Sequence, residues 1–270
     1  MLILVPTPIG NLNDISFRAL KTLEEAEIIF CEDTRVSKRL LNLLKDKFDI
    51  SPKVQKYISL HSHNEDRVIN SIDKSIFEKN VIYMSDAGMP AISDPGAKLI
   101  DFCIKESIKY DVLAGANAVL LAYVMSGFLD KEFTFFGFLS NKGSKRSEEL
   151  NYLLIHRFNT ILYEAPHRIV KLINEIVDID EDRELFLVKE LTKLHQKSFR
   201  ASAKDLSETL KDENLKGEWC VVIKAKEQNL NQITKTDIIN LDIPKKLKAK
   251  LLSKISGENI KKCYNDLIQN

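Results

Sequence analysis

The sequence predicts an α/β protein with two α/β domains and a small helical C-terminal appendix. The length of 270 residues suits two domains of roughly 150 residues each. Short apolar runs alternate with segments of helical period in the first half, as in parallel sheets covered by helices on both faces. Beyond Asn231 the pattern is helical alone. We therefore predict a parallel α/β domain over 1–114, a mixed α/β domain over 115–228 and a Lys-rich helical tail over 231–270.

The elements of the first domain follow from short apolar runs, which indicate buried strands, and from the amphipathic segments between them, which indicate helices. The predicted strands are 2–5, 28–31, 57–60, 81–84 and 111–113, and the predicted helices are 15–26, 35–44, 66–77 and 97–106. Because strands and helices alternate, the strands are expected to run parallel. Their carboxyl ends then share one edge, where open α/β sheets bind their ligands.

The second domain has a less regular pattern. Strands are predicted at 133–139, 160–163, 184–189 and 219–223, and helices at 118–126, 169–177 and 203–210, with a further helix that follows the polar loop 140–147 and ends near His156. In the tail, Gly257 interrupts an apolar stripe, which predicts two short helices around a turn. Eight Lys and four acidic residues give the tail a net charge of +4. It is either a solvated cap or a nucleic-acid contact.

Composition excludes several classes of protein. A net charge of +1 gives the whole chain no bulk attraction for polyanions, so RNA binding requires local basic patches. The four cysteines are far apart and form no CxxC pair, which indicates buried apolar residues in a reducing compartment. No apolar run approaches the roughly 20 residues of a membrane span, and 2–5 is too short for a secretory signal. We expect a cytoplasmic protein without membrane contact.

The scarce Gly and Pro residues, 16 of 270, concentrate after predicted strands. Pro6, Pro8 and Gly10 form a rigid turn after the first strand. This turn lacks the three glycines of a dinucleotide-binding turn, and the chain has no P-loop pattern. Nicotinamide, flavin and nucleoside-triphosphate sites are therefore excluded. His61 and His63 lack the supporting ligands of a metal centre, so no metal is expected.

A second cluster follows the fourth strand, where the segment 88–96 holds four of the sixteen Gly and Pro residues. Asp94 followed by Pro95 is explained as a helix N-cap and the first helical residue. Capping does not explain Asp86 and Gly88. A carboxylate beside a glycine-opened backbone suits a ligand that bears hydroxyl groups or positive charge.

Ionisable residues follow three other predicted strands. They are Glu32, Asp33 and Arg35, then Glu164 and Arg168, then Glu190 and Lys193. Only nine of the 40 basic residues are Arg, so the Arg residues in these groups indicate planar, bidentate contacts. For the first group, helix capping beside a solvated Arg35 is the alternative. The basic loop 142–146 is expected to be exposed and available to phosphates.

Eight blocks of the sequence resemble one family. They occur in one order over residues 5–223 and read VPTPIGNLNDISFRAL, CEDTR, HSHNE, SDAGMPAISDPG, FFGFLSNKG, YEAPHRI, KELTKLHQ and KGEWCVVI. This string resembles the rRNA-modifying branch of the tetrapyrrole methylase-like family. The Lys-rich tail resembles the small helix-turn-helix appendix of that branch.

The resemblance implies a homodimer that transfers a methyl group from S-adenosyl-L-methionine to the ribose 2′-oxygen of a cytidine. That cytidine lies in the decoding region of 16S rRNA, within the small ribosomal subunit. The cofactor would be held in a cleft between the two domains by Pro8, Asp86, Gly88, Met89, Gly115 and Ala116. The resemblance also points to a catalytic set of possible bases and phosphate clamps, which are Glu32, Asp33, Arg35, Glu164, Arg168, Glu190 and Lys193.

One stretch departs from the family pattern, which reads L-P-G-P-[SC]-A at the domain junction. This chain reads Leu113-Ala114-Gly115-Ala116-Asn117-Ala118, so both prolines are lost and Gly115 is kept. Two alternatives are open, the first because the fold is shared and the second because of this departure. One is a methyltransferase for a tetrapyrrole or another small molecule. The other is a non-catalytic ribosome-assembly protein with a decayed cofactor site.

Overall fold

A computed structural model describes residues 1–226 and 234–269 of this chain. The chain forms two compact units, Met1–Lys226 and Glu227–Asn270. The first unit contains two five-stranded sheets, which together account for all ten strands of the described residues. The strands of one sheet lie before residue 114 and those of the other lie after it. The predicted domain boundary at that position stays a prediction, because the two sheets belong to one compact unit.

The first sheet is parallel, as the alternation of strands and helices predicts. Its strands are β1 (Leu2–Leu4), β2 (Ile28–Cys31), β3 (Lys56–Ser59), β4 (Val81–Met84) and β5 (Tyr110–Val112). They lie in the order β3-β2-β4-β1-β5, and every neighbouring pair is parallel. Residues of β2 and β4 are buried throughout, which is why their apolar runs do not alternate.

Helices cover both faces of this sheet. They are α1 (Phe17–Glu25), α2 (Thr34–Phe48), α3 (Glu65–Asn70) and α4 (Ala97–Lys105). The prediction of one helix over 66–77 is wrong. Helix α3 ends at Asn70, and a separate 3-10 turn follows at Lys74–Glu78. The Asp73 carboxylate accepts a hydrogen bond of 3.0 Å from the Ser75 N–H, so this side chain starts a new turn instead of continuing the helix.

The second sheet is mixed, as predicted. Its strands are β6 (Phe133–Phe138), β7 (Asn159–Glu164), β8 (Glu184–Lys189), β9 (Lys197–Ser202) and β10 (Trp219–Ile223). They lie in the order β6-β7-β10-β8-β9, with β6 and β7 parallel and the other pairs antiparallel. The sequence analysis missed β9. It is an edge strand in which only Phe199 and Ala201 pack against the core, so its apolar signal is weak.

The two faces of the second sheet have different partners. One face packs against α6 (Ser144–Leu154), α7 (Ile169–Val177) and α8 (Ala203–Thr209). The other face packs against α5 (Ala118–Ser126) and against Ile9, which follows the first strand of the other sheet. An apolar cluster of residues from both sheets therefore joins them into one unit.

The second unit contains three helices among its described residues. They are α9 (Lys235–Asn240), α10 (Lys245–Ser256) and α11 (Ile260–Gln269). Gly257 has a φ of 71° and ends α10, so the predicted turn between two helices is confirmed. Ile238, Ala249, Leu252 and Cys263 form a small core of this unit. The prediction for the tail also included 231–233, which lie outside the described residues.

All four cysteines are buried and free, in agreement with the sequence analysis. In the ranges 1–226 and 234–269, no helix is long and apolar enough to cross a membrane.

Candidate functional site

A cavity of about 470 Å³ lies where the carboxyl edge of the first sheet faces the second sheet. The two sheets contribute different chemistry. The first contributes loops with carboxylates and a glycine, and the second contributes aromatic and apolar side chains. The lining residues are Ile9, Asp86, Ala87, Gly88, Met89, Ile92, Ser93, Asp94, Asn117, Ala118, Phe138, Tyr163, Glu164, Ala165, Pro166, Val188, Leu191, Glu218, Trp219 and Cys220.

A pairing between Thr7 and Gly88 shapes the floor of this cavity. The two residues form an isolated antiparallel bridge, in which each backbone N–H donates to the other's carbonyl oxygen over 3.0 Å. The Gly88 N–H also lies 3.1 Å from the Thr7 hydroxyl, and the Ser85 hydroxyl donates to the Gly88 carbonyl over 3.1 Å. These bonds hold the loop after β4 against the turn after β1.

Gly88 is required by the geometry of this loop. Its φ of +84° is in the region that disfavours residues with a Cβ. A Cβ at this position would lie 2.9 Å from Ile9 Cγ2 and 3.6 Å from the Ala116 carbonyl oxygen. The glycine therefore keeps the backbone close to residues of both sheets and leaves the cavity open.

Three carboxyl groups at the carboxyl edge of the first sheet have raised pKa values. Burial is the largest cause for Glu32, Asp86 and Asp94. Repulsion adds to it, because Asp94 and Asp86 raise the pKa of Glu32 and Asp86 raises that of Asp94. For each of the three groups the effects that raise the pKa outweigh those that lower it, so a cationic ligand would be stabilised beside these carboxylates.

Asp33 differs from its acidic neighbours. Its carboxylate pairs with the Arg35 guanidinium at 2.6 Å and accepts the Arg35 backbone N–H over 2.8 Å. These bonds lower its pKa to about 2. The side chain caps α2, as the alternative interpretation of this motif proposed, and the Asp33 N–H donates to Asp86 over 3.3 Å. Arg35 itself is 90% exposed in its side chain.

The predicted capping role of Asp94 is wrong. Helix α4 begins at Ala97, and its N-cap is Gly96, whose φ is 122°. A Cβ on Gly96 would lie 2.6 Å from the ring of buried Tyr83, so close packing determines where the loop turns into the helix. Asp94 is thereby left to line the cavity.

Glu164 lies at the opposite side of the cavity and is bound by two arginines. Its side chain is fully buried. One carboxylate oxygen lies 3.3 Å from Arg146 Nη2 and the other lies 2.7 Å from Arg168 Nε. Arg168 also donates to the Asn141 side chain. Each oxygen of the Glu164 carboxylate is thus engaged by one guanidinium group.

Arg146 was not among the predicted site residues, since the segment 142–146 was expected to be an exposed basic loop. Helix α6 begins at Ser144, so Arg146 lies in its first turn, with a side chain that is 2% exposed. Its guanidinium contacts Glu164, Glu175 at 2.8 Å and the Ser140 carbonyl oxygen at 3.1 Å. The sequence did contain a signal for Arg146, which is the one Arg of a segment whose other basic residues are Lys. The same scarcity of Arg indicated bidentate contacts for Arg35 and Arg168.

Glu190 and Lys193 form a structural pair at the end of β8. Lys193 Nζ lies 3.0 Å from Glu190 and 2.8 Å from Glu218. Burial raises the pKa of Glu190, but the Glu218 N–H and Lys193 outweigh it and lower that pKa overall. Glu190 has a φ of 52°, so this ion pair holds a backbone conformation that is rare outside glycine.

The predicted cofactor residues divide into two groups. Asp86, Gly88 and Met89 line the cavity. Pro8 and Ala116 do not line it but adjoin the lining residues Ile9 and Asn117 in the chain, and Gly115 packs against Pro6, from which a Cβ would lie 2.5 Å away. In the stretch that departs from the family pattern, the Asn117 side chain accepts the Leu120 N–H over 3.1 Å and caps α5.

The two histidines of the HSHNE block have local partners. Their rings lie 6.0 Å apart, and His61 Nδ1 accepts the His63 N–H over 3.3 Å. Among the residues that the structure describes, no group of three or more His, Cys, Asp or Glu side chains could hold a metal ion.

Comparison with known proteins adds a family and a fold. The sequence model of the tetrapyrrole (corrin/porphyrin) methylases matches residues 1–207. Ribosomal RNA small subunit methyltransferase I of Campylobacter fetus is 51% identical over 270 residues, which cover 99% of this chain and 100% of that protein. The protein of the same name from Helicobacter pylori strain J99 is 40% identical over 98% of this chain and 96% of its own length.

Two solved structures have a similar fold at low sequence identity. A cobalt precorrin-4 methyltransferase aligns with a TM-score of 0.59 and 19% identity over 83% of this chain and 94% of its own. Uroporphyrin-III C-methyltransferase of Thermus thermophilus, in complex with S-adenosyl homocysteine, aligns with a TM-score of 0.57 and 14% identity. That alignment covers 82% of this chain and 96% of the other.

The buried Arg146 generates a test of stability. We expect Arg146→Met to lower the free energy of unfolding by about 3 kcal/mol, because it leaves part of the buried Glu164 charge uncompensated. Lys145→Met is the matched control, since Lys145 lies on the same helix with a side chain that is 78% exposed. Chemical denaturation of both variants measures the difference. Equal free energies of unfolding for the two variants would show that the pair of Arg146 and Glu164 does not stabilise the fold.

Proposed function

This chain belongs to the tetrapyrrole (corrin/porphyrin) methylase family, and from that premise we propose that it methylates the RNA of the small ribosomal subunit. The donor is S-adenosyl-L-methionine and the acceptor is the ribose 2′-hydroxyl of a cytidine in the decoding region of 16S rRNA. The observation that carries the proposal is the full-length similarity to proteins named as small subunit rRNA methyltransferases. The chemistry of the cavity supports it.

The residues of the cavity fit the cofactor. S-adenosyl-L-methionine supplies an electrophilic methyl group on a positively charged sulfur. Asp86 and Asp94 offer carboxylates that have raised pKa values, so a cationic ligand relieves their mutual repulsion. Gly88 offers backbone where a Cβ would collide, and Met89 and Ala118 offer apolar surface. We assign the cofactor to this side of the cavity.

Glu32 is the best candidate for the base that takes the proton of the 2′-hydroxyl. The other carboxylates of the predicted catalytic set are neutralised by cations. Asp33 is paired with Arg35, Glu164 with Arg146 and Arg168, and Glu190 with Lys193. The pKa values of Asp33 and Glu190 are lowered, so these two carboxylates bind protons weakly. Burial and the neighbouring carboxylates raise the pKa of Glu32, which is the direction that a general base requires.

The enclosure of the cavity contributes in a second way. Val188, Leu191 and Trp219 line it with apolar surface that excludes water. Exclusion of water strengthens the electrostatic interactions inside and keeps the two reacting groups aligned, and orientation alone can supply several orders of magnitude in rate. Arg168 pairs with Glu164, which lines the cavity, and its guanidinium is of the kind that could clamp a phosphate of the RNA.

Two alternatives remain distinguishable from this proposal. A small-molecule methyltransferase is favoured only by the fold, which the precorrin and uroporphyrin enzymes share. A non-catalytic assembly protein was suggested by the altered stretch after Leu113. In that stretch Asn117 caps a helix and the Ala116 carbonyl oxygen approaches the Gly88 loop. The stretch therefore contacts the loop of the cavity without the two prolines. A homodimer in the cytoplasm remains a prediction from the resemblance.

The direct test maps ribose methylation in 16S rRNA from a strain that lacks the gene. We expect one unmethylated cytidine in the decoding region, and methylation of purified small subunits by the enzyme and cofactor in vitro. The same methylation assay with a porphyrinoid in place of the small subunits is the comparison. Methylation of the porphyrinoid instead of the subunits, or no binding of the cofactor in calorimetry, would overturn the proposal.

Replacement of Glu32 tests its role as the base. We expect Glu32→Gln to lower kcat by roughly 10² to 10⁴-fold with cofactor affinity retained, because loss of a general base costs about that much. Glu25→Gln, at an exposed site on α1, is the matched control and should keep full activity. Single-turnover methylation of small subunits measures both.

The pH dependence of the wild-type enzyme gives an independent check of Glu32. A base acts when deprotonated, so kcat/KM falls as the pH falls through its pKa. Burial and the neighbouring Asp94 raise the pKa of Glu32 above its ordinary value of 4.5. The acidic limb of the profile should therefore lie above pH 4.5. A limb at or below that value would assign the proton transfer to another group.

The tail generates a prediction about salt. Lys246, Lys250 and Lys254 lie four residues apart on α10 and are exposed, so they form one basic stripe. If the stripe contacts phosphates, changing all three to Gln should reduce the slope of log affinity against log salt by about 0.7 per contact. Lys45, Lys53 and Lys109 are the control, since they are exposed in the other unit, at the end of α2 and before β3 and β5. Identical slopes for both triple variants would show that the stripe does not contact phosphates.

A further inference from the structure

Phe138 is an aromatic side chain that the fold places in the cavity without burying it. Its residue is 54% exposed, although it ends a strand whose other phenylalanines are at least partly packed against the core. It lines the cavity together with Asp94 and Tyr163. A large apolar side chain that is exposed in a cavity is typical of a binding surface.

A β-bulge determines the direction in which Phe138 points. Strand β6 pairs with β7 so that Phe135 lies opposite Ile161 and Gly137 lies opposite Leu162, which leaves Phe136 as an extra residue. Gly137 has a φ of +83°, and the glycine permits this bend. A single inserted residue reverses which face of the sheet the following side chains occupy.

The packing of the neighbouring residues shows the reversal. In a regular strand, residues three positions apart face opposite sides of the sheet. Phe136 and Leu139 are three apart, yet both pack in the cluster beneath α6 and α7. Phe135 and Phe138 are also three apart, and both rings contact Tyr163 on the other face, at centroid distances of 5.1 and 5.5 Å. Without the bulge, Phe138 would join Phe136 in the core. The bulge moves it to the cavity.

The charges that follow Phe138 in the chain favour one class of ligand. Lys142 and Lys145 are exposed in the segment directly after it, and Arg168 donates to Asn141 in the same segment. An exposed aromatic face beside cations is the arrangement by which proteins hold an unstacked nucleotide, with the base on the ring and the phosphate near the positive charge.

We propose that Phe138 is the platform on which the base of the methylated nucleotide stacks. This inference rests on the proposed function and adds the subsite for the acceptor. The same cavity is lined by Asp94, so a nucleotide whose base lies on Phe138 reaches the carboxyl edge of the first sheet with its ribose. The bulge at Phe136 and Gly137 is thus a positioning device for the substrate.

Three substitutions separate stacking from simple apolar contact. Phe138→Tyr keeps an aromatic face, Phe138→Leu keeps apolar volume without one, and Phe138→Ala removes both. Phe17→Ala is the control, because Phe17 is 91% exposed on α1. We expect kcat/KM for small subunits to fall about tenfold to a hundredfold in the Ala variant and nearly as much in the Leu variant. The Tyr variant and the control should keep wild-type values, and cofactor affinity should be unchanged in all four.

A binding measurement separates failure of this inference from failure of the proposed function. The probe is a short single-stranded RNA that carries a fluorescent cytidine analogue, whose emission is quenched when it stacks on an aromatic ring. Quenching by the wild type and the Tyr variant but not by the Leu variant would support the platform even if small subunits were not methylated. Wild-type kcat/KM in the Leu variant, or quenching that persists in the Ala variant, would overturn it. Loss of subunit affinity in the Ala variant that the Leu variant restores would assign Phe138 to a protein contact and would overturn the platform too.

Discussion

The backbone pairing between Thr7 and Gly88 is the constraint on which the site depends. It connects the turns that follow two neighbouring strands of the first sheet, and it requires a residue without a Cβ at a φ of +84°. Because the turn is held there, Ile9 reaches the apolar cluster of the second sheet and Asp86 stays at the rim of the cavity. One hydrogen-bonded contact thus positions the carboxyl edge of the first sheet against the second sheet. Loss of that contact would affect both sides of the cavity together.

The electrostatics of the cavity follow from how each carboxylate is partnered. At the carboxyl edge of the first sheet, burial and repulsion from neighbouring carboxylates raise the pKa values of Glu32, Asp86 and Asp94, of which Asp86 and Asp94 line the cavity. On the side of the second sheet, two arginines neutralise Glu164. The cavity therefore combines carboxylates of raised pKa, which favour a cationic donor, with a carboxylate that two guanidinium groups engage. These local charges are compatible with a net charge of only +1 for the whole chain.

The sequence predicted most strands because their residues are buried on both faces and so form continuous apolar runs. It failed where the local signal was weak or had a simpler explanation. Strand β9 lies at an edge and buries few residues, so its pattern resembled a loop. Asp94 beside Pro95 matched a helix start, but packing of Gly96 on Tyr83 moved that start to Ala97. Arg146 matched an exposed basic loop, whereas its partners are Glu164 and Glu175, which are distant in the chain.

The sequence by itself determined the alternation of strands and helices in the first sheet, the mixed character of the second sheet and the residue types at the ends of the strands, but not β9. Those features depend on local periodicity and on the scarcity of Gly and Pro. Only the tertiary structure decided which of the ionisable residues are neutralised and which keep raised pKa values, because that depends on pairing across the fold. It also decided that Phe138 faces the cavity. A bulge changes the face that a side chain occupies, and its presence depends on the register between β6 and β7.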